Sequence, residues 1–168
     1  MQMFKVCSQK ETEVFAEKLG EILNPGDIIC LTGNLGAGKT AFTRGLAKAL
    51  GINNHITSPT FTIVNEYEAE IPLYHFDVYR ISSPDDMFEI GFEEYLYGDG
   101  VSVIEWADLI YDILPLESIN VRIDISSRTN TEERVIEVEF KGNRYLGYEE
   151  KLLDKWSLYG GNNEDTCG

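Results

Sequence analysis

The sequence is poor in positive charge. Of 168 residues only 14 are Lys or Arg, against 29 Asp and Glu, for a formal net charge of −15 at pH 7. Affinity for a polyanion comes mainly from Lys and Arg that neutralise phosphates, so the chain alone is not expected to hold nucleic acid. The acidity suits a partner with a basic face, because complementary charge speeds docking, and it serves solubility equally well. Cysteine is scarce too. Cys7, Cys30 and Cys167 are odd in number and widely spaced, with no C-x-x-C pair, which reads as buried or free thiols in a reducing cytoplasm. Long apolar runs are missing. No stretch approaches the ~20 residues that span a bilayer, and Met1-Gln2-Met3-Phe4-Lys5 does not resemble a secretory signal. A cytoplasmic protein without a membrane role is expected.

What is present is enough for a packed fold. Apolar residues make up 43% of the chain, and this length buries roughly 70% of the unfolded surface. No internal repeat or interdomain linker appears. The expected organisation is one domain over 1–159, followed by a disordered tail over 160–168.

One segment carries more chemistry than any other. Ile28-Ile29-Cys30-Leu31-Thr32 is an apolar strand, and it runs into Gly33-Asn34-Leu35-Gly36-Ala37-Gly38-Lys39-Thr40, a G-x-x-x-x-G-K-T phosphate loop. The glycines let the backbone curl so that successive N–H groups face phosphate oxygens. Lys39 adds a cation for the β and γ phosphates, and the Thr40 hydroxyl is placed to ligate Mg²⁺. A helix over 41–50 follows, so its N-terminus aims partial positive charge at the same phosphates. A nucleotide site is expected, with contacts over Gly33, Asn34, Leu35, Gly36, Ala37, Gly38, Lys39, Thr40 and Ala41.

The flanking pattern gives the rest of the scaffold. A short strand over 4–7 precedes Ser8, an N-cap with Glu11 completing a capping box. Val14, Phe15, Leu19, Ile22 and Leu23 then recur at helical spacing. Strands are expected over 61–67, 73–79 and 101–105. Ser83-Pro84-Asp85-Asp86 reads as a helix start, and a short helix is expected over 109–114. Val121, Ile123 and Ile125, then Ile136, Val138 and Phe140, alternate with polar residues on two arms, which predicts an antiparallel hairpin. A last helix is expected over 145–156. The fold class is therefore α/β: a P-loop NTPase-like three-layer sandwich with a mixed central sheet and an antiparallel edge hairpin.

A phosphate loop needs an acid near the metal, usually at the end of an apolar strand. Glu105 ends Val101-Ser102-Val103-Ile104, and Asp77 lies in Tyr74-His75-Phe76-Asp77-Val78-Tyr79-Arg80. Both sit in apolar strands, where an unpaired charge is costly, so both are candidate site residues. Ser58-Pro59-Thr60-Phe61 lies where P-loop proteins keep a loop that senses the γ phosphate, which makes Ser58 and Thr60 candidate switch residues. His75 reads as a hydrogen-bonded structural group and Trp106 as core. The first-helix start, 8–12, is a candidate for adenine contacts.

Taken together, the G-x-x-x-x-G-K-T loop, Ser58-Pro59-Thr60-Phe61, His75-Phe76-Asp77-Val78-Tyr79-Arg80 and Ile104-Glu105-Trp106 resemble, in order and spacing, the TsaE family, formerly YjeE. These are bacterial P-loop ATPases of tRNA threonylcarbamoyladenosine synthesis. The resemblance covers roughly residues 8–140. It implies binding of ATP and Mg²⁺, with Thr40 and Glu105 near the metal, and Asp77 acting in hydrolysis beside Lys39. It also implies work with TsaB and TsaD, so that tRNA is met only through those partners. Hydrolysis that is weak alone and stimulated by partners fits the few arginines available.

Three other readings start from the same loop. A small-molecule kinase would use Arg44 or Arg80 against a phosphoryl acceptor, but positive charge here is sparse and scattered. A GTPase would need N-K-x-D after a later strand, and the two N-x-x-D matches, at 24–27 and 162–165, lack the lysine. A non-hydrolysing adapter with ATP as structural glue stays open at this stage.

Overall fold

The computed structural model describes residues 1–59, 61–161 and 167. Seven strands form one sheet in the order β1-β7-β6-β2-β5-β4-β3. They are β1 (Gln2–Val6), β2 (Ile28–Thr32), β3 (Val64–Tyr67), β4 (Leu73–Asp77), β5 (Val101–Glu105), β6 (Ser118–Ile125) and β7 (Arg134–Lys141). The centre is parallel, with β2 between β6 and β5 and β4 beyond β5. The flanks are antiparallel, with β6–β7–β1 on one side and β4–β3 on the other. The expected hairpin is thus present, and β1 extends it by one strand.

Alternation along β2 explains the layers. Ile29 and Leu31 face a core built with helices α1 (Gln9–Gly20), α2 (Lys39–Ala49) and α5 (Tyr148–Tyr159). Ile28 and Cys30 face a second, smaller core with α3 (Asp86–Glu89), α4 (Phe92–Leu96) and the 3₁₀ segment Ala107–Ile113. A strand covered on both faces is apolar throughout, which is why β2 and β5 are buried along nearly their whole length.

The α1–α2 pair sets the floor of the cleft described below. Ser8 Oγ accepts from Glu11 N–H at 3.1 Å and Glu11 Oε2 accepts from Cys7 N–H at 2.7 Å, a reciprocal cap that fixes the start of α1. A Cβ at Gly45 on α2 would collide with the Glu13 carbonyl of α1. Glycine there lets the two helices meet at backbone distance, so the start of α1 lies against the P-loop helix.

Several sequence expectations are corrected. The strand expected over 61–67 begins only at Val64, because Ile63 sits at φ 66° and its N–H donates to Pro59 O at 2.8 Å, so that 61–63 turn instead of extending. The strand expected over 73–79 stops at Asp77. At 83–86 the helix begins only at Asp86 and lasts a single turn; Ser83 Oγ accepts from Asp85 N–H at 3.2 Å, and the Asp86 carboxylate accepts from Ser82 and Ser83 N–H at 3.0 and 3.2 Å. The helix expected over 109–114 is the 3₁₀ segment Ala107–Ile113. The last helix starts at Tyr148, after Gly147 at φ 84°. Tyr145 belongs to a preceding 3₁₀ turn, where its hydroxyl accepts from Ile28 N–H at 3.0 Å.

The cysteines also depart from expectation. Cys7 and Cys167, with Cα atoms 5.5 Å apart, form a disulfide, leaving Cys30 free and buried. An odd count with wide spacing hides a pair that is 160 residues apart in sequence and adjacent only after folding. Of the expected disordered tail, 162–166 and 168 lie outside the described residues, as does Thr60. Among the described residues no helix is long and apolar enough to cross a membrane.

Candidate functional site

The C-terminal ends of β2, β5 and β4 converge on one cleft of about 570 Å³, a volume ordinary for a small-molecule site. In parallel α/β sheets this edge is where ligands bind. The cleft is lined by the phosphate loop from Leu35 to Ala41, by Gln9 and Thr12 of α1, and by Ser58, Asp77 and Glu105.

The loop has the geometry its spacing predicts. Gly33, Gly36 and Gly38 have φ of 145°, 79° and 106°, values that a side chain would strain. Gly38 is the N-cap of α2, so Lys39 and Thr40 open that helix. Lys39 Nζ donates to the carbonyls of Gly33 at 2.7 Å and Asn34 at 3.0 Å, folding its stem back over the loop. It also lies 4.0 Å from the centre of the Trp106 ring. Burial holds the Lys39 ammonium below its ordinary pKa, against the opposing pull of Glu105, Asp77 and Asp108. A nearby anion would restore the charged form.

Asp77 and Glu105 are register partners on adjacent strands, and both are buried. Glu105 Oε1 accepts from Thr40 Oγ1 at 3.3 Å and lies 3.1 Å from His75 Nε2. His75 is fully buried, and among the described residues its Nδ1 has no partner, so Nε2 carries the proton that Glu105 accepts. Asp77 Oδ2 accepts from Ser58 Oγ at 2.6 Å and Oδ1 from Tyr79 N–H at 3.0 Å. The sequence-predicted switch loop therefore touches the Asp77 carboxylate through Ser58.

Two buried carboxylates side by side repel each other unless a cation stands between or beside them. With the Thr40 hydroxyl bonded to Glu105, the donor set is all oxygen, the preference of Mg²⁺. Among the described residues no group of three or more His, Cys, Asp or Glu forms a metal cage. The residues fit a Mg²⁺ that takes much of its coordination from water and phosphate, as that ion does at nucleotide sites.

Trp106 is only partly core. It sits at φ 63°, packs on Tyr79 with ring centres 4.6 Å apart, and covers Lys39. Gln9 and Thr12 fall within the helix start named above as a candidate for adenine contacts. Sequence reasoning missed Tyr79 and Arg134, which also line the cleft. Arg134 follows a polar turn in the hairpin, and nothing local there marks it as a neighbour of the phosphate loop.

The comparisons agree with this geometry. Residues 6–136 match the family model described as threonylcarbamoyl adenosine biosynthesis protein TsaE. The chain belongs to the TsaE family. A TsaE of Bacillus subtilis, named as a tRNA threonylcarbamoyladenosine biosynthesis protein, is 43% identical over 143 residues, covering 84% of this chain and 87% of its own. The Treponema pallidum protein of the same name is 42% identical over 125 residues, covering 74% and 93%. The crystal structure of Bacillus subtilis YdiB superposes with a TM-score of 0.75 at 37% identity, covering 94% of this chain and 95% of that one.

Proposed function

We propose that this TsaE-family chain binds ATP with Mg²⁺, hydrolyses it, and serves tRNA threonylcarbamoyladenosine synthesis as the ATPase subunit acting on a TsaB–TsaD transferase complex in the cytoplasm. The observation that carries this reading is the meeting, on one sheet edge, of the phosphate loop with Thr40, Glu105 and Asp77. The named relatives support the pathway.

In this reading the loop N–H groups and Lys39 hold the phosphates. Bound Mg²⁺ supplies charge neutralisation of the β and γ oxygens. Thr40 and Glu105 hold the metal's side of the site, and His75 keeps the Glu105 carboxylate oriented. Asp77 orients the attacking water and takes its proton. Trp106, packed on Tyr79, covers Lys39. The net charge of −15 leaves tRNA to the partners. The arginines on the cleft do not form a cluster facing an acceptor: Arg44 pairs with Glu13 at 3.2 Å, Arg80 lies 4.8 Å from the Phe61 ring centre, and Arg134 donates to the loop carbonyls of Gly36 and Ala37. This favours water over a small-molecule acceptor.

Titration calorimetry with ATP, with and without Mg²⁺, tests the reading at its base. Lys39→Ala is expected to weaken ATP binding roughly tenfold to a hundredfold, since it removes a charge-assisted contact worth about 1.5–3 kcal/mol. Unchanged affinity would overturn the phosphate clamp. Glu105→Gln is expected to bind ATP without Mg²⁺ as the unsubstituted chain does and to lose much of the gain that Mg²⁺ brings. A full Mg²⁺ response in that variant would remove Glu105 from the metal's surroundings.

A further inference from the structure

Arg134 is the first residue of β7, paired in the ladder with Val6 and Ile125. Its guanidinium reaches across to the phosphate loop. Nε donates to the Ala37 carbonyl at 2.7 Å and Nη2 to the Gly36 carbonyl at 3.4 Å. Nη1 donates to the carbonyls of Thr131 and Glu133, in its own hairpin turn. One side chain thus ties the hairpin to the loop through four backbone oxygens. Among the described residues Arg134 makes no ion pair with a carboxylate, although the chain holds 29 of them. Its charge is left to the loop and the cleft.

The consequence follows from peptide geometry. In a planar trans peptide the C=O and the next N–H point in opposite directions. Holding the Gly36 and Ala37 oxygens outward turns the Ala37 and Gly38 N–H groups toward the loop interior. Ala37 N–H is indeed aimed across the loop, at Asn34 O, 3.0 Å away. Gly36 and Gly38 have no Cβ to restrict them, so without an external anchor this segment has many backbone states to lose on binding.

We propose that Arg134 is a positioning residue of the phosphate loop. It fixes the two peptides whose N–H groups receive phosphate oxygens, and it adds an uncompensated positive charge beside them. This rests on the nucleotide reading above. It does not make Arg134 catalytic, since its donors are occupied by backbone.

Two measurements on Arg134→Met and Arg134→Lys test the inference. The first is amide hydrogen exchange of the ligand-free protein, which needs no nucleotide. Exchange at Ala37 and Gly38 is expected to speed up in Arg134→Met while amides of β2 and β5 keep their protection. The second is calorimetry with ATP, where Arg134→Met is expected to lose about tenfold to a hundredfold in affinity, with the Mg²⁺ response retained. Arg134→Lys keeps the charge but not the planar fork that meets two carbonyls, so it should recover only part of the loss. Wild-type exchange at Ala37 and Gly38 in Arg134→Met would overturn the proposal. So would wild-type ATP affinity in that variant, or complete recovery in Arg134→Lys, which would assign the effect to charge alone. Failure of the unsubstituted chain to bind ATP would instead overturn the nucleotide reading, and the exchange result would still report on the loop.

Discussion

Adding a TsaB–TsaD-type complex is expected to raise ATP turnover by about 10³- to 10⁵-fold over the chain alone, the usual effect of an arginine delivered to a phosphoryl-transfer site. Each arginine on the cleft is already engaged. Arg44 Nε bonds to Glu13 Oε1, Arg80 stacks on Phe61, and Arg134 is spent on the carbonyls of Gly36 and Ala37. Lys39 is the cation seated in the loop itself, and one ammonium does not cover the charge that spreads over three γ oxygens in the transition state. The acidic body favours docking of a basic partner, which would bring the missing cation. Steady-state phosphate release, measured alone and with increasing complex, checks this. A high basal rate, indifferent to the complex and lost in Arg80→Ala, would mean that the site completes itself by moving Arg80 off Phe61.

Asp77→Asn is expected to keep ATP affinity and slow turnover by about 10²- to 10⁴-fold, the typical worth of a positioned general base. The carboxylate is held from two sides, by Ser58 Oγ on Oδ2 and Tyr79 N–H on Oδ1. These contacts fix the orientation of the carboxylate. Asparagine keeps the shape but replaces one acceptor oxygen by a donor. The same substitution disturbs the contact with Ser58, so ATP affinity and thermal unfolding belong in the same experiment. Turnover at the wild-type rate in the presence of partners would remove Asp77 from the chemistry. If Glu105→Gln alone then slowed turnover, the roles of the two carboxylates would be exchanged.

The local half of the fold was legible in the chain. The glycine spacing of 33–38 gave the loop, Ser8 and Glu11 gave the start of α1, and period-two alternation gave β6 and β7. Each signal arises from residues within one or two turns of each other, where sterics and capping act without help from the rest of the molecule. The least legible ends were those set by distant contacts. The last helix, for one, starts late because Tyr145 is held by the backbone of β2.

The sequence by itself determined the phosphate loop, the strand and helix that frame it, and the acids at 77 and 105 as candidates, together with the resemblance to TsaE. Tertiary structure alone decided what those residues touch. The sheet order puts Asp77 beside Glu105, seats Thr40 on a carboxylate 65 residues away, brings Arg134 onto a loop 97 residues earlier, and joins Cys7 to Cys167. Periodicity states which face of a strand is buried but not which strand lies next to it. That choice is made by packing of the whole sheet against its helices, and it is the choice that assembles the cleft.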